Sequence, residues 1–454
     1  MGEARLSDAA SRNIGRETEA HEALEWAQCG AMDLTGFPSG PPLVAPAALA
    51  TACRRAMHRL EKDVGAKAPL VQDPPALLGE RAAIAGLSRQ GNRSPGGHCR
   101  ILGAADGWLA VNLARPEDAE LLPAWLERPC DGDPWSVMAQ RLRESGRDAW
   151  VERARLLGLA VAPLSPPPAV APAEFRAIAH GRPAPPRPHF DPLVVDFSSL
   201  WAGPLCTQLL ADAGARVVKV ESRSRPDGAR TGSPTFFDLL NGKKPSVAVD
   251  FADPEDRRAL DRLLARADIV VESARPRALA QFGIDAKNWL EQRSGRTWLG
   301  LTGYGRPEPE GHWVAFGDDA AAAAGLCLAT SPAAPVFCGD AIADPLAGIH
   351  AAAATAASWK SGGGQLLDVS LRDVVAHLLA RTPCSTGAVR VERLLPALDE
   401  RAGSNRGATA NGRGSPPAAA GVPSRLPGPE NPGAEPAPWP PTTPSTFENV
   451  DPKR

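Results

Sequence analysis

The 454-residue sequence holds a single tyrosine, and only 5% of it is aromatic, so no aromatic cluster points to a substrate. It has no excess of charge: 50 Lys and Arg stand against 52 Asp and Glu, a formal net charge of -2. A chain so balanced carries no electrostatic footprint for nucleic acid or an anionic membrane surface. The eight cysteines, Cys29, Cys53, Cys99, Cys130, Cys206, Cys327, Cys338 and Cys384, include no C-x-x-C pair. That argues against a zinc site and a disulfide framework, and fits reduced thiols in the cytoplasm. No apolar run reaches the roughly 20 residues of a membrane span. The stretch from Met1 to Glu25 is polar and charged, unlike a signal peptide. A nicotinamide-type site needs G-x-G-x-x-G after its first strand, and Ala202-Gly203-Pro204 stands there instead. The expectation is a cytoplasmic globular protein with no metal and no permanently bound cofactor.

Proline and glycine are abundant, at 47 and 43 residues, and the excess is concentrated in two places. Residues 166–190 are proline-rich and read as a semi-rigid linker. Residues 383–454 lose periodicity and become Pro, Gly, Ala, Ser and Thr with few large apolar side chains, the composition of a disordered tail. Between them, residues 191–382 alternate strand and helix. Leu193 to Phe197, Arg216 to Glu221, Ser246 to Phe251, Asp268 to Glu272 and Thr297 to Thr302 read as strands. Leu205 to Ala213 and Pro254 to Ala267 read as helices. The pattern predicts an α/β fold, a Rossmann-like parallel sheet with helices on both faces and ligands at the strand C-termini. Residues 20–165 read as a smaller α+β domain, with a turn at Ala104 to Trp108 and a helical stretch from Glu117.

Asp344 stands out in the window Phe337-Cys338-Gly339-Asp340-Ala341-Ile342-Ala343-Asp344-Pro345-Leu346-Ala347-Gly348, ahead of an alanine-rich stretch to Trp359. A carboxylate at the mouth of such a helix has little water and unpaired N–H groups around it, which equips it to attack a carbonyl. The window alone reads equally as a helix cap at Asp344 with Pro345 at the first helical position. Asp340 reads as a turn cap or loop-orienting residue. A weak internal repeat aligns Gly30 to Thr35 with Gly325 to Thr330 and Pro42-Leu43-Val44 with Pro335-Val336-Phe337; Thr51 then stands opposite Asp344.

Residues 193–371 resemble the class III CoA-transferases, the CaiB/BaiF family. The resemblance rests on motifs in order: Val195 to Pro204 with its A-G-P turn, Leu209 to Glu221, Leu240 to Lys244, Asp268 to Pro276, Thr302 to Gly305, Asp344 to Gly348, and Gly363 to Leu371. It implies transfer of CoA between an acyl-CoA and a small carboxylic acid, with Asp344 as nucleophile through acyl-anhydride and aspartyl-CoA intermediates. It also implies CoA contacts from Arg230, Lys243, Lys244, Ser273 and Arg275, where Ser273 stands in place of the family's Asn. Arg93 to Arg100 and Asp106 to Val111 resemble the family segment that follows the nucleophile, with Gly96-Gly97 as its active-site glycine loop. The family-like segments therefore stand in permuted order. A homodimer, or a pseudo-dimer built from halves, is implied as well. Two alternatives stay open. One is an acyl-CoA racemase, whose histidine position falls on Phe316 or Asp318 with His312 out of register. The other is a degenerate, non-catalytic CoA-binding subunit.

Overall fold

The computed structural model describes residues 21–329 and 335–384. The expected tail lies outside them, apart from Pro383 and Cys384, which run beside the N-terminal segment: Pro383 bridges Ala47 and the Cys384 N–H bonds to the Pro46 carbonyl at 2.9 Å.

Short apolar runs flanked by Gly, Pro and Asp become the strands of one seven-stranded sheet. In chain order these are β4 (Arg176–Ala179), β5 (Leu193–Phe197), β6 (Arg216–Ser222), β7 (Ser246–Val249), β8 (Ile269–Glu272), β9 (Thr297–Thr302) and β12 (Gln365–Ser370), while β10 (Cys327–Ala329) and β11 (Pro335–Phe337) pair only with each other. Their spatial order is β4-β12-β9-β8-β5-β6-β7, parallel throughout except for β4. The chain leaves β5 toward β6 and β7, then returns to the other side of β5 as β8. The order reverses there, which opens a crevice at the C-termini of β5 and β8. At that point the Ser199 N–H donates to Ser273 Oγ at 3.0 Å, bridging the two strand ends.

The proline-rich stretch is more than a linker. Its residues Arg176–Ala179 form the edge strand β4, antiparallel to β12 with Arg176 opposite Asp368. Four exposed residues carry no periodic signal, so sequence pattern does not reveal them.

Residues 21–164 contribute mainly to two cores, with smaller clusters at Cys99 and Leu43. The antiparallel sheet β1 (Cys99–Gly103), β2 (Trp108–Asn112) and β3 (Ala160–Pro163) packs under its own cluster around Trp125, Met138 and Trp150. Residues from Ala23 to Leu78 instead share the core of the large sheet with the helix Ala343–Lys360. The helix Leu49–Val64 lies along that helix through Ala52, Ala56 and Leu60, apolar residues at helical spacing. The aligned glycines Gly30 and Gly325 both adopt left-handed φ, at 78° and 98°. The Thr51 hydroxyl, opposite Asp344 in the repeat, lies 2.6 Å from Glu22 Oε1 and 2.8 Å from Glu25 Oε2.

One ion-pair cluster ties three segments together. Arg59 Nη2 lies 2.8 Å from Glu174 Oε1, and His350 Nδ1 lies 2.6 Å from the same oxygen. Burial alone would raise the Glu174 carboxyl, but the bonds from His350 and Arg59 outweigh it and depress it to about 2. A carboxyl lowered on folding stabilises above its ordinary range and loses that contribution as pH falls toward the folded value. Glu174→Gln is expected to cost about 1.5–3 kcal/mol at pH 7. The gap to the parent should narrow between roughly pH 4.5 and 2, where Glu174 itself protonates. Denaturant melts at pH 7 and pH 3 check this; a gap equally wide at both would contradict it.

Candidate functional site

The helix Ala343–Lys360 is alanine-rich on every face and is almost entirely buried between the sheet and the Leu49–Val64 helix. Its N-cap is Ile342, which offers no side-chain bond. Asp344 is therefore the second helical residue, not the cap, and Pro345 is the third. The Asp344 N–H bonds to the Ala341 carbonyl at 2.9 Å. Ala341 sits at φ 42°, a left-handed conformation unusual for a residue with a Cβ. That strain is held from two sides: the Ala341 N–H donates to Asp318 Oδ1 at 2.8 Å, and the Gly339 N–H donates to Thr35 Oγ1 at 3.1 Å.

The helix Gly317–Ala323 begins against this turn. The Gly317 N–H donates to the Asp344 carboxylate. A Cβ on Gly317 would lie 2.4 Å from Asp344 Oδ2 and 2.3 Å from the Ala341 carbonyl oxygen, so only glycine lets the carboxylate rest there. From Pro335 to Ala356 every residue is buried except Asp344, which remains partly open. The result is a carboxylate in dry surroundings with one accessible face.

Two further carboxylates, Asp340 and Asp318, stand beside it, and a third, Asp319, lies next to Asp318. Asp340 is completely buried and is held by Arg81 through both oxygens, Nε to Oδ2 at 2.8 Å and Nη2 to Oδ1 at 2.6 Å. Asp340 is thus an ion-pair partner, beyond the turn-capping role expected of it. Burial, reinforced by Asp340 and opposed by Arg81, pushes Asp318 up to about 6. Burial pushes Asp319 to about 7 although it accepts bonds from the Phe316 N–H and from Asn112 Nδ2, each at 2.9 Å. Asp344 itself rises to about 7: burial raises it, Arg81 opposes, Asp318 and Asp340 add to the rise, and the Gly317 N–H opposes again. No histidine is among these influences. His312 pairs with Glu308 at 2.9 Å and is partly exposed.

The expected glycine loop lies beside this cluster. Ser94 to Gly97 form a turn closed by the Gly97 N–H to the Ser94 carbonyl at 2.8 Å, with Gly97 at φ 84°. A Cβ on Gly96 would sit 3.1 Å from Arg81 Nη2 and 3.5 Å from Asp340 Oδ1. The expected CoA contacts fare differently. Lys244 is fully buried, bonded to the Pro204 carbonyl, Thr207 Oγ1 and Asn241 Oδ1, and lies 3.5 Å from Asp196. All three ammonium protons are spent inside the protein, and burial lowers it to about 8, so it braces the first strand and does not face a ligand. Arg230 is engaged by Glu221 at 2.7 Å and lies over the Phe237 ring, a second internal pairing. Lys243 is exposed beside Asp212 at 3.3 Å. Ser273 is at the β5–β8 crevice with its Oγ accepting from Ser199. Arg275, just beyond it, is exposed. Its proton is made easier to lose by burial and then by Arg277, Arg115 and Arg225, so four guanidiniums crowd one place.

Arg81, Asn112 and Gly317 were not among the sequence candidates. Asp318 was reached only as a possible register for a racemase base. The adjacent pair Asp318-Asp319 opening an alanine run was the signal available for these two acids.

Residues 191–410 match the model of CoA-transferase family III. Succinyl-CoA–D-citramalate CoA-transferase of Chloroflexus aurantiacus is 31% identical over 208 residues, 43% of this chain and 52% of that protein. Succinyl-CoA:glutarate CoA-transferase of Homo sapiens is 30% identical over 213 residues, 43% of this chain and 49% of that protein. A crystal structure of a CAIB/BAIF family protein from Brucella suis aligns with 43% of this chain and 56% of that one, at 28% identity and a TM-score of 0.39. The chain spans about half the length of the curated relatives it matches.

Gly317→Ala is expected to drive the Asp344 carboxylate out of its seat at a cost of about 1–3 kcal/mol. Chemical denaturation measures this, and a variant as stable as the parent would show that the space beside Gly317 is free.

Proposed function

From the match of residues 191–410 to the CoA-transferase family III model, we propose that this chain moves CoA between an acyl-CoA and a small carboxylic acid, with Asp344 as the covalent nucleophile. The observation that carries the reading is Asp344 itself: dry on all sides but one, and poised near neutrality. The Asp344 carboxylate attacks the thioester carbonyl and the C–S bond breaks, giving a mixed anhydride and CoA thiolate. The thiolate attacks the aspartyl carbonyl of that anhydride and releases the donor acid, leaving a thioester on Asp344. The acceptor carboxylate attacks that thioester, displacing the thiolate and forming a second anhydride. The thiolate then attacks its acyl carbonyl, which frees the new acyl-CoA and regenerates Asp344. A series of modest barriers replaces one large one. The Gly317 N–H, already aimed at the carboxylate, supports charge there as it develops and recedes.

The anionic phosphates of CoA fit Arg275, Arg277 and Arg225, beside the Ser199–Ser273 crevice where ligands of such sheets bind. Arg115, from the N-terminal region, adds its charge to the same place but is itself held by the buried Asp118 and the Gly158 carbonyl. The repeat supports a pseudo-dimeric reading in which the copy ending at Thr51 carries no nucleophile.

Incubation with a panel of acyl-CoAs, hydroxylamine trapping and peptide mass spectrometry test the mechanism. A CoA or hydroxamate mass on the Asp344 peptide, absent in Asp344→Asn, is the expected result. CoA binding without any adduct would reject the transferase reading and favour the CoA-binding subunit. Because the ionised carboxylate is the nucleophile and burial raises it to about 7, adduct formation should fall as pH drops through that value and level off above it. Arg275→Gln should weaken CoA binding about five- to tenfold and flatten its salt dependence in calorimetric titrations.

A further inference from the structure

Asp340 and Asp344 stand four residues apart on one tight turn, and Asp318 bonds to the turn between them. Three carboxylates this close in a dry crevice repel one another, and such a group stays ionised only beside a compensating charge. The charge comes from outside the segment matched to the transferase family. Arg81, in the short helix Glu80–Ala85, reaches across to Asp340. Its guanidinium lies 5.2 Å from the centre of the Trp201 ring and beneath the Ser94–Gly97 turn, where a Cβ on Gly96 would meet Arg81 Nη2 at 3.1 Å, a tight contact. The side chain is 29% exposed, while its partner carboxylate is completely buried, so the cation lies at the mouth of the crevice and the anion at its floor.

We propose that Arg81 is a positioning residue for Asp344. By clamping Asp340 through both oxygens it fixes the turn that presents Asp344, and it supplies the positive charge that lets the neighbouring carboxylates remain ionised together. The inference rests on the reading of Asp344 as nucleophile, but Arg81 makes no bond to reacting atoms. The groups facing Asp344 are Asp340 on its own turn, Asp318 and the Gly317 N–H on the helix beside it, and Arg81 on the N-terminal segment. Ser94, from the glycine turn, bonds to Asp318 and completes the ring.

The test separates protonation from chemistry. Infrared difference spectra between each protein and its Asp344→Asn counterpart report the Asp344 carboxyl across the pH range without substrate. Arg81→Met should raise the Asp344 midpoint by about one unit or more, a tenfold gain in proton affinity. Asp340→Asn should lower it, since a like charge leaves and Arg81 turns free to face Asp344. Arg81→Met leaves Asp340 buried without its partner and is open to misfolding, so the decisive comparison is Asp340→Asn against the double variant Arg81→Met/Asp340→Asn. The double variant must have the higher midpoint, and Arg81→Lys in the parent must restore part of the shift seen with Met. Equal midpoints in that comparison would overturn the role given to Arg81. Adduct formation is followed in parallel. If the parent forms an adduct and the midpoints are equal, Arg81 falls and the nucleophile stands. If the parent forms none but the midpoints separate, the nucleophile falls and the placement of Arg81 stands.

Discussion

The bidentate contact between Arg81 and Asp340 is the constraint on which the rest of the site depends. Asp340 is fully buried, and an unpaired charge at that depth would cost several kcal/mol. Once paired, it anchors the strained Ala341, whose own N–H is taken by Asp318. That turn starts the long helix in the one register that leaves Asp344 facing the open side. Each of these features is weak alone. The pair makes them mutually necessary, and it joins residues 259 positions apart in the chain.

The arrangement explains why neither region is self-sufficient as a site. The parallel sheet delivers the crevice, the long helix and the helix that begins at Gly317. The N-terminal region delivers Arg81, Asn112, Thr35 and the glycine turn. Each of these four lands on the acidic cluster or on the loop leading into Asp344. The helix Leu49–Val64 adds apolar packing along the same helix, so the two regions share one core as well as one polar network.

The strands were legible because each is a short apolar run between turn residues, and the observed limits differ from the sequence reading by a residue or two at most ends. Asp344 was legible because an acid before an alanine run is locally unusual. Its position within the helix was not, since the sequence placed it at the cap. Lys243 and Lys244 are adjacent and chemically alike, yet one is 77% exposed and the other fully buried; only the packing of Asp196 and Thr207 decides which turns inward. Arg81 left no local signal, because a charged residue on a six-residue helix has the pattern of ordinary surface until its distant partner is known. The pairing of two of the expected cations was hidden for a related reason. Arg230 lies in the short helix Gly228–Thr231 and Lys244 just before β7, and buried carboxylates engage both from inside the protein.

The edge strand drawn from the proline-rich stretch has a further consequence. A parallel sheet ends in a row of unpaired N–H and C=O groups, which is a template for joining another molecule. Here β4 covers the outer side of β12 with four exposed residues, and prolines flank it at Pro172, Pro183, Pro185 and Pro186. Proline has no N–H to donate and resists extension of the ladder. The segment that connects the two regions is thus also a selvedge, finishing the sheet so that it does not grow into aggregates at that margin.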